Sequence, residues 1–220
     1  MSSIPSWLAA AGEGSELHKE WCRATLETYW RRTAHGRPLY SGSRFDDLGD
    51  NPPNHLVADD IVAVSMLSVD VPAHATLRFL DESAAEITRL LTAIPADVDL
   101  HEAGVGLVDH GSPADDLWSF LRTNGDTPGA GPVTTSKLLA RKRPRLLPVY
   151  DDVVRGKLGL RGPQEHWLVV QGLLREDPRR VDVLRRARES AKGVPSGVAL
   201  LRVLDVLLWM SDERRCPPPS

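Results

Sequence analysis

The chain has 220 residues, 41% hydrophobic and 26% charged, with a formal net charge of -3, a profile that fits one substantial core or two small lobes and excludes a disordered or collagen-like chain. Two cysteines, Cys22 and Cys216, are too few for a disulfide scaffold and point to reduced thiols in the cytoplasm. The chain does not open with a basic segment and an apolar run, and no apolar run is long enough to cross a bilayer, so neither a secretion signal nor a membrane partner is expected.

The spacing of Leu17, Trp21, Ala24 or Thr25, and Thr28 or Tyr29 predicts a helix over 15–34, stopped by Gly36 and Pro38. A polar loop rich in glycine and proline follows over 36–55, long enough to be functional or mobile. "VADDIVAVSMLSV" reads as a compact helix, although its composition also suits a short strand. Pro72 opens the next helix, which continues to Leu91. Ser112 as a cap, Pro113 at the first helical position and Asp115-Asp116 in the first turn start another, which ends before Asn124-Gly125. After a Gly/Pro loop at 125–132, a helix runs from Val133 to Lys142. Pro163 opens one from Gln164 to Arg175, Asp177-Pro178 caps one ending near Ala191, and Ser196 caps the last, through Met210. The expected fold is all-α, with residues 1–216 as a single helical domain or two tightly packed lobes and 217–220 as a flexible tail.

Charge is unevenly spread. Residues 41–127 carry 4 basic and 16 acidic side chains, whereas residues 128–220 carry 18 basic and 10 acidic. Such asymmetry allows local attraction of DNA or another polyanion despite the negative total, or of an acidic protein surface such as the first half of a second copy. The basic residues are densest in "PGAGPVTTSKLLARKRPRLLPVYDD", where Lys137, Arg141, Lys142, Arg143 and Arg145 follow Gly129 and Gly131 within the region 128–155. Because the glycines lie between two expected helices, this is the wrong context for a Rossmann loop. Exposed amides at the start of a helix can still receive a phosphate, and the cations after them could contact successive phosphates. The alternative is a solvated helix end whose Lys142 and Arg143 complement the helix dipole.

The run from Gly129 to Asp151 resembles, without a gap, the hairpin, helix, apolar segment and aspartate of the helix-hairpin-helix DNA glycosylase superfamily. The resemblance implies that Gly129 and Gly131 are the hairpin glycines and that Asp151 is the catalytic carboxylate. Val133 stands where bifunctional members carry a lysine nucleophile, which implies base–sugar hydrolysis without strand cleavage. A broader resemblance, over most of the chain, is to uncharacterised actinobacterial helical proteins carrying "SKLLARKRPRLLPVYD" and "LRVLDVLLWM", and it implies no activity.

On this reading Asp151 stabilises an oxocarbenium-like transition state or activates water, while Tyr150 and Trp167 line the pocket for an extruded base. Without the resemblance, Asp151 reads first as the cap of a short helix in "DDVVRGKL" and the aromatics as core; with it, the cap and the catalytic carboxylate stand level. The seven histidines form no recognised ligand pattern, so no metal and no cofactor are expected. The expected function is a nucleic-acid-associated protein with monofunctional DNA N-glycosylase-like hydrolysis. Its alternatives are a non-enzymatic nucleic-acid-binding module and a helical small-molecule or protein-interaction protein.

Overall fold

The computed structural model describes residues 5–9, 16–212, 214–216 and 218. In chain order its helices are α1 (Ser6–Ala9), α2 (Glu16–Trp30), α3 (Ala58–Ser65), α4 (Ala73–Leu77), α5 (Ala84–Thr92), α6 (Pro113–Leu121), α7 (Pro132–Lys142), α8 (Asp152–Leu158), α9 (His166–Glu176), α10 (Arg179–Ser190) and α11 (Leu200–Met210). The fold is all-α. Among the described residues no strand forms, and extended pairing is limited to single bridges such as Arg32 with Pro38 and Arg122 with Ala130. The chain divides into two compact units, residues 1–43 with 149–220 and residues 44–148. The tail expected at 217–220 lies outside the described residues except for Pro218.

The first unit is built on α11, which packs against α2, α8 and α10. Only Leu200 and Trp209 of this helix keep partial exposure, so Arg202 and Asp205 are carried into the core. An unpaired buried charge would cost several kcal/mol. Here Arg202 donates to the Asp205 carboxylate, to Tyr29 Oη at 2.7 Å and to the Gly42 carbonyl at 2.8 Å. α2 ends at Trp30, four residues before its expected end, because residues 31–39 fold back on themselves. Leu39 N donates to the Arg31 carbonyl at 2.9 Å and Thr33 N to the Arg37 carbonyl at 2.7 Å, around Gly36 at φ +74°. The expected cap at Ser196 is instead part of a turn in which Val198 N donates to the Pro195 carbonyl, and α11 starts at Leu200.

In the second unit, "ADDIVAVS" is helical because Asp60 in its first turn accepts from Val57 N at 3.0 Å, closing the helix start. The single helix expected from Pro72 to Leu91 is broken into α4, a π-helical turn at Arg78–Glu82 and α5. Ser83 N reaches back to the Arg78 carbonyl at 2.8 Å across that wide turn. The Arg78 guanidinium meanwhile holds the Phe120 and Pro128 carbonyls, each at 2.8 Å. α6 starts as its sequence dictates, with Ser112 Oγ accepting from Asp115 N at 3.2 Å and Pro113 in the first turn. α7 is buried at every residue from Thr134 to Lys142, although three of those nine residues are cationic.

Candidate nucleic-acid interface

The loop before α7 is shaped by a close backbone approach. Ala130 N donates to the Leu121 carbonyl at 2.9 Å, which presses Gly129 onto the chain at Arg122. A Cβ on Gly129 would stand 2.3 Å from the Arg122 carbonyl carbon, so only glycine fits there. Gly131 differs: it caps α7 at φ -69°, and a Cβ would meet nothing within 4 Å. One of the two glycines is therefore a steric necessity of the unit, and the other is not.

The cations that follow turn inward. Lys137 Nζ donates to the Leu67 carbonyl at 2.8 Å, just beyond the end of α3. Arg141 spans Asp60 Oδ1 at 3.2 Å and the Phe45 and Leu48 carbonyls. Lys142 Nζ reaches Asp60 Oδ2 at 2.7 Å and Asn51 Oδ1 at 2.8 Å. Arg143 is wholly buried and donates to the Ile94, Pro53 and Leu91 carbonyls and to Asn54 Oδ1. Leu91 and Ile94 sit at the C-terminal end of α5, where unpaired carbonyls and the helix dipole favour a cation. Burial lowers the Lys142 ammonium against the opposing pull of Asp60, and burial also lowers the Arg143 guanidinium. Arg145 alone of the five is exposed, and it is held to Asp99 by two hydrogen bonds at 3.0 and 2.6 Å, which raise it.

This arrangement fastens the 45–54 segment, the start of α3 and the end of α5 onto α7. It also changes the surface of the second unit. Five of the nine cations in residues 44–148 are buried, namely Arg78, Lys137, Arg141, Lys142 and Arg143, against only Asp60 of the 16 carboxylates. The exterior of that unit therefore carries a large excess of carboxylates over cations.

Asp151 and the two pocket aromatics belong to the first unit, whereas the glycine loop and the cations belong to the second. Asp151 is the N-cap of α8, and its Oδ1 accepts from Val154 N at 2.9 Å. Tyr150 and Trp167 are buried, and the Tyr150 ring lies 5.4 Å from that of His166. Burial raises the Tyr150 phenol and drives His166 down to about 3. Neither nitrogen of the His166 ring, which is 1% exposed, has a hydrogen-bond partner among the described residues, and burial keeps it a neutral imidazole in the core.

Cations without internal acceptors lie elsewhere in the first unit. Arg31 and Arg37 are exposed on the folded-back 31–39 segment, and neither guanidinium has a partner among the described residues. Tyr40, next in the chain, stacks on Tyr29 with ring centroids 5.4 Å apart and planes 8° from parallel. Trp209 meets Tyr40 edge-on at 5.8 Å, and the Arg215 guanidinium lies 3.6 Å over the Trp209 ring. Tyr40 and Trp209 are partly exposed. The signal for this surface was the pairing of "WRRTAHGRPLY" with the end of α11, residues far apart in sequence that no local motif connects.

Among the described residues no three His, Cys, Asp or Glu side chains converge to hold a metal ion, and no helix is long and apolar enough to cross a membrane. No curated protein and no solved structure matches the chain. Residues 22–212 match the family described as "Family of unknown function (DUF6308)", and the chain belongs to that family.

Proposed function

We propose that this protein is a non-catalytic module that binds single-stranded nucleic acid through the first unit, with Arg31 and Arg37 on phosphates and the Tyr40–Trp209–Arg215 group against unpaired bases. The observation that carries the reading is the pair of unpartnered guanidiniums beside a partly exposed aromatic stack. Exposed cations supply salt-dependent affinity for a polyanion, and aromatic or guanidinium planes accept bases of any sequence. Chemistry is left out because Asp151 already spends one carboxylate oxygen on the start of α8, and because Lys137, Arg141, Lys142 and Arg143 are engaged internally.

Fluorescence anisotropy with a labelled single-stranded oligonucleotide, repeated over a range of salt, tests this. Replacing two phosphate contacts in Arg31→Ala/Arg37→Ala reduces the salt slope of log K by about 1.4. Tyr40→Ala weakens binding at every salt concentration without changing the slope. A salt slope identical in the double variant and the starting protein overturns the proposal.

A further inference from the structure

The first unit contains a cleft of about 470 Å³ between α1, α2 and α10. Its volume falls in the range of about 300–1,000 Å³ used by small-ligand sites. Trp7, Cys22 and Ala187 form its inner wall, each at most 5% exposed, and Trp7 packs against Trp21 with ring centroids 5.6 Å apart. Burial pushes the Cys22 thiol up to about 12, so this wall carries no charge at neutral pH. Val183 continues the wall along α10.

The rim is charged, but most of its charges cancel. Lys19 pairs with Glu16 at 2.6 Å, and Arg23 bridges Glu20 and Glu27 at 2.5 and 2.7 Å. Arg186 is the exception, an exposed rim cation with no partner among the described residues. The nearest carboxylates at helical spacing on its own helix are already engaged, Asp182 by Arg185 at 2.5 Å and Glu189 by Arg188 at 4.0 Å. The cleft therefore presents a largely apolar wall and, at its mouth, one guanidinium, that of Arg186, not drawn into an ion pair among the described residues.

We propose that this cleft binds a medium-chain carboxylate, with the alkyl body against Trp7, Val183 and Ala187 and the carboxylate on Arg186. An anionic head matches the Arg186 guanidinium, and the alkyl chain covers the apolar faces of Trp7, Val183 and Ala187, while the Trp7 indole N–H keeps no acceptor among the described residues. The site is independent of the nucleic-acid reading and shares no residue with it.

Isothermal titration calorimetry of the full chain with octanoate, octan-1-ol and octylamine tests the proposal. Octanoate binds, octan-1-ol binds about tenfold more weakly for want of the charge-assisted hydrogen bond, and octylamine does not bind. Arg186→Gln, at an exposed position that does not support the fold, lowers octanoate affinity to that of octan-1-ol and leaves octan-1-ol unchanged. Val183→Trp, checked for fold by circular dichroism, fills the cleft and removes both. Equal affinity for octanoate and octan-1-ol, or octanoate affinity unaffected by Arg186→Gln, overturns the carboxylate assignment. Absence of octanoate binding to the folded starting protein overturns the site.

Discussion

Asp60 is the one carboxylate among the buried cations of α7, accepting from Arg141 through one oxygen and from Lys142 through the other. Removing its charge leaves two cations in the interior with only neutral acceptors, and breaking such a set typically costs about 3–5 kcal/mol. Asp60→Asn is therefore expected to lower the urea midpoint of unfolding by that equivalent, whereas Asp99→Asn, at the exposed pair with Arg145, changes it by under about 1 kcal/mol. His166 contributes a different dependence. Its folded pKa of about 3 lies below the ordinary value of 6.5, so the unfolded chain takes up the proton first. The contribution of the neutral ring is complete above pH 6.5 and is lost as pH falls from 6.5 towards 3, at up to about 1.4 kcal/mol per pH unit. Unfolding followed across that window should show the limb flattened in His166→Leu. An unchanged limb would place the acid sensitivity on other groups.

At the level of elements, helix starts that depend on local chemistry could be read from the sequence. Ser112-Pro113 starts α6 through a side-chain cap, and the aspartate expected to cap "DDVVRGKL" does so. Elements governed by distant contacts could not be read. The π-helical turn interrupts a good helical pattern at Arg78, whose side chain is directed to carbonyls at Phe120 and Pro128. The inward course of the basic run was hidden for a related reason. Most of the acceptors for Lys137, Arg141 and Arg143 are main-chain carbonyls, which have no residue identity in the sequence. The two loop glycines, alike in sequence, separate in the same way. Gly129→Ala forces the chain apart at Arg122 and should cost about 1–3 kcal/mol, as overpacking does, while Gly131→Ala stays within about 0.5 kcal/mol. Equal effects in thermal unfolding would contradict the close approach that defines this loop.

For the whole molecule, burial changes what net charge means. The +8 excess of residues 128–220 suggests a cationic half, yet much of it lies in α7 or in ion pairs along α10. Exposed cations without a partner among the described residues are scattered over the first unit, as at Arg31, Arg37 and Arg186, where no dense motif marks them. The all-helical class and most helix positions were thus legible, while the surface was not, because exposure is decided by tertiary packing.

The basic run of α7 is interior scaffold. Brief acetylation of the native protein, resolved by peptide mass spectrometry, tests it directly. Lys19 and Lys192 are exposed, whereas Lys137 and Lys142 are 4% and 3% exposed with their ammonium groups on internal acceptors. Lys19 and Lys192 are expected to be modified rapidly, and Lys137 and Lys142 only after unfolding in urea. Native-state labelling of Lys142 as fast as that of Lys19 would contradict this interior placement.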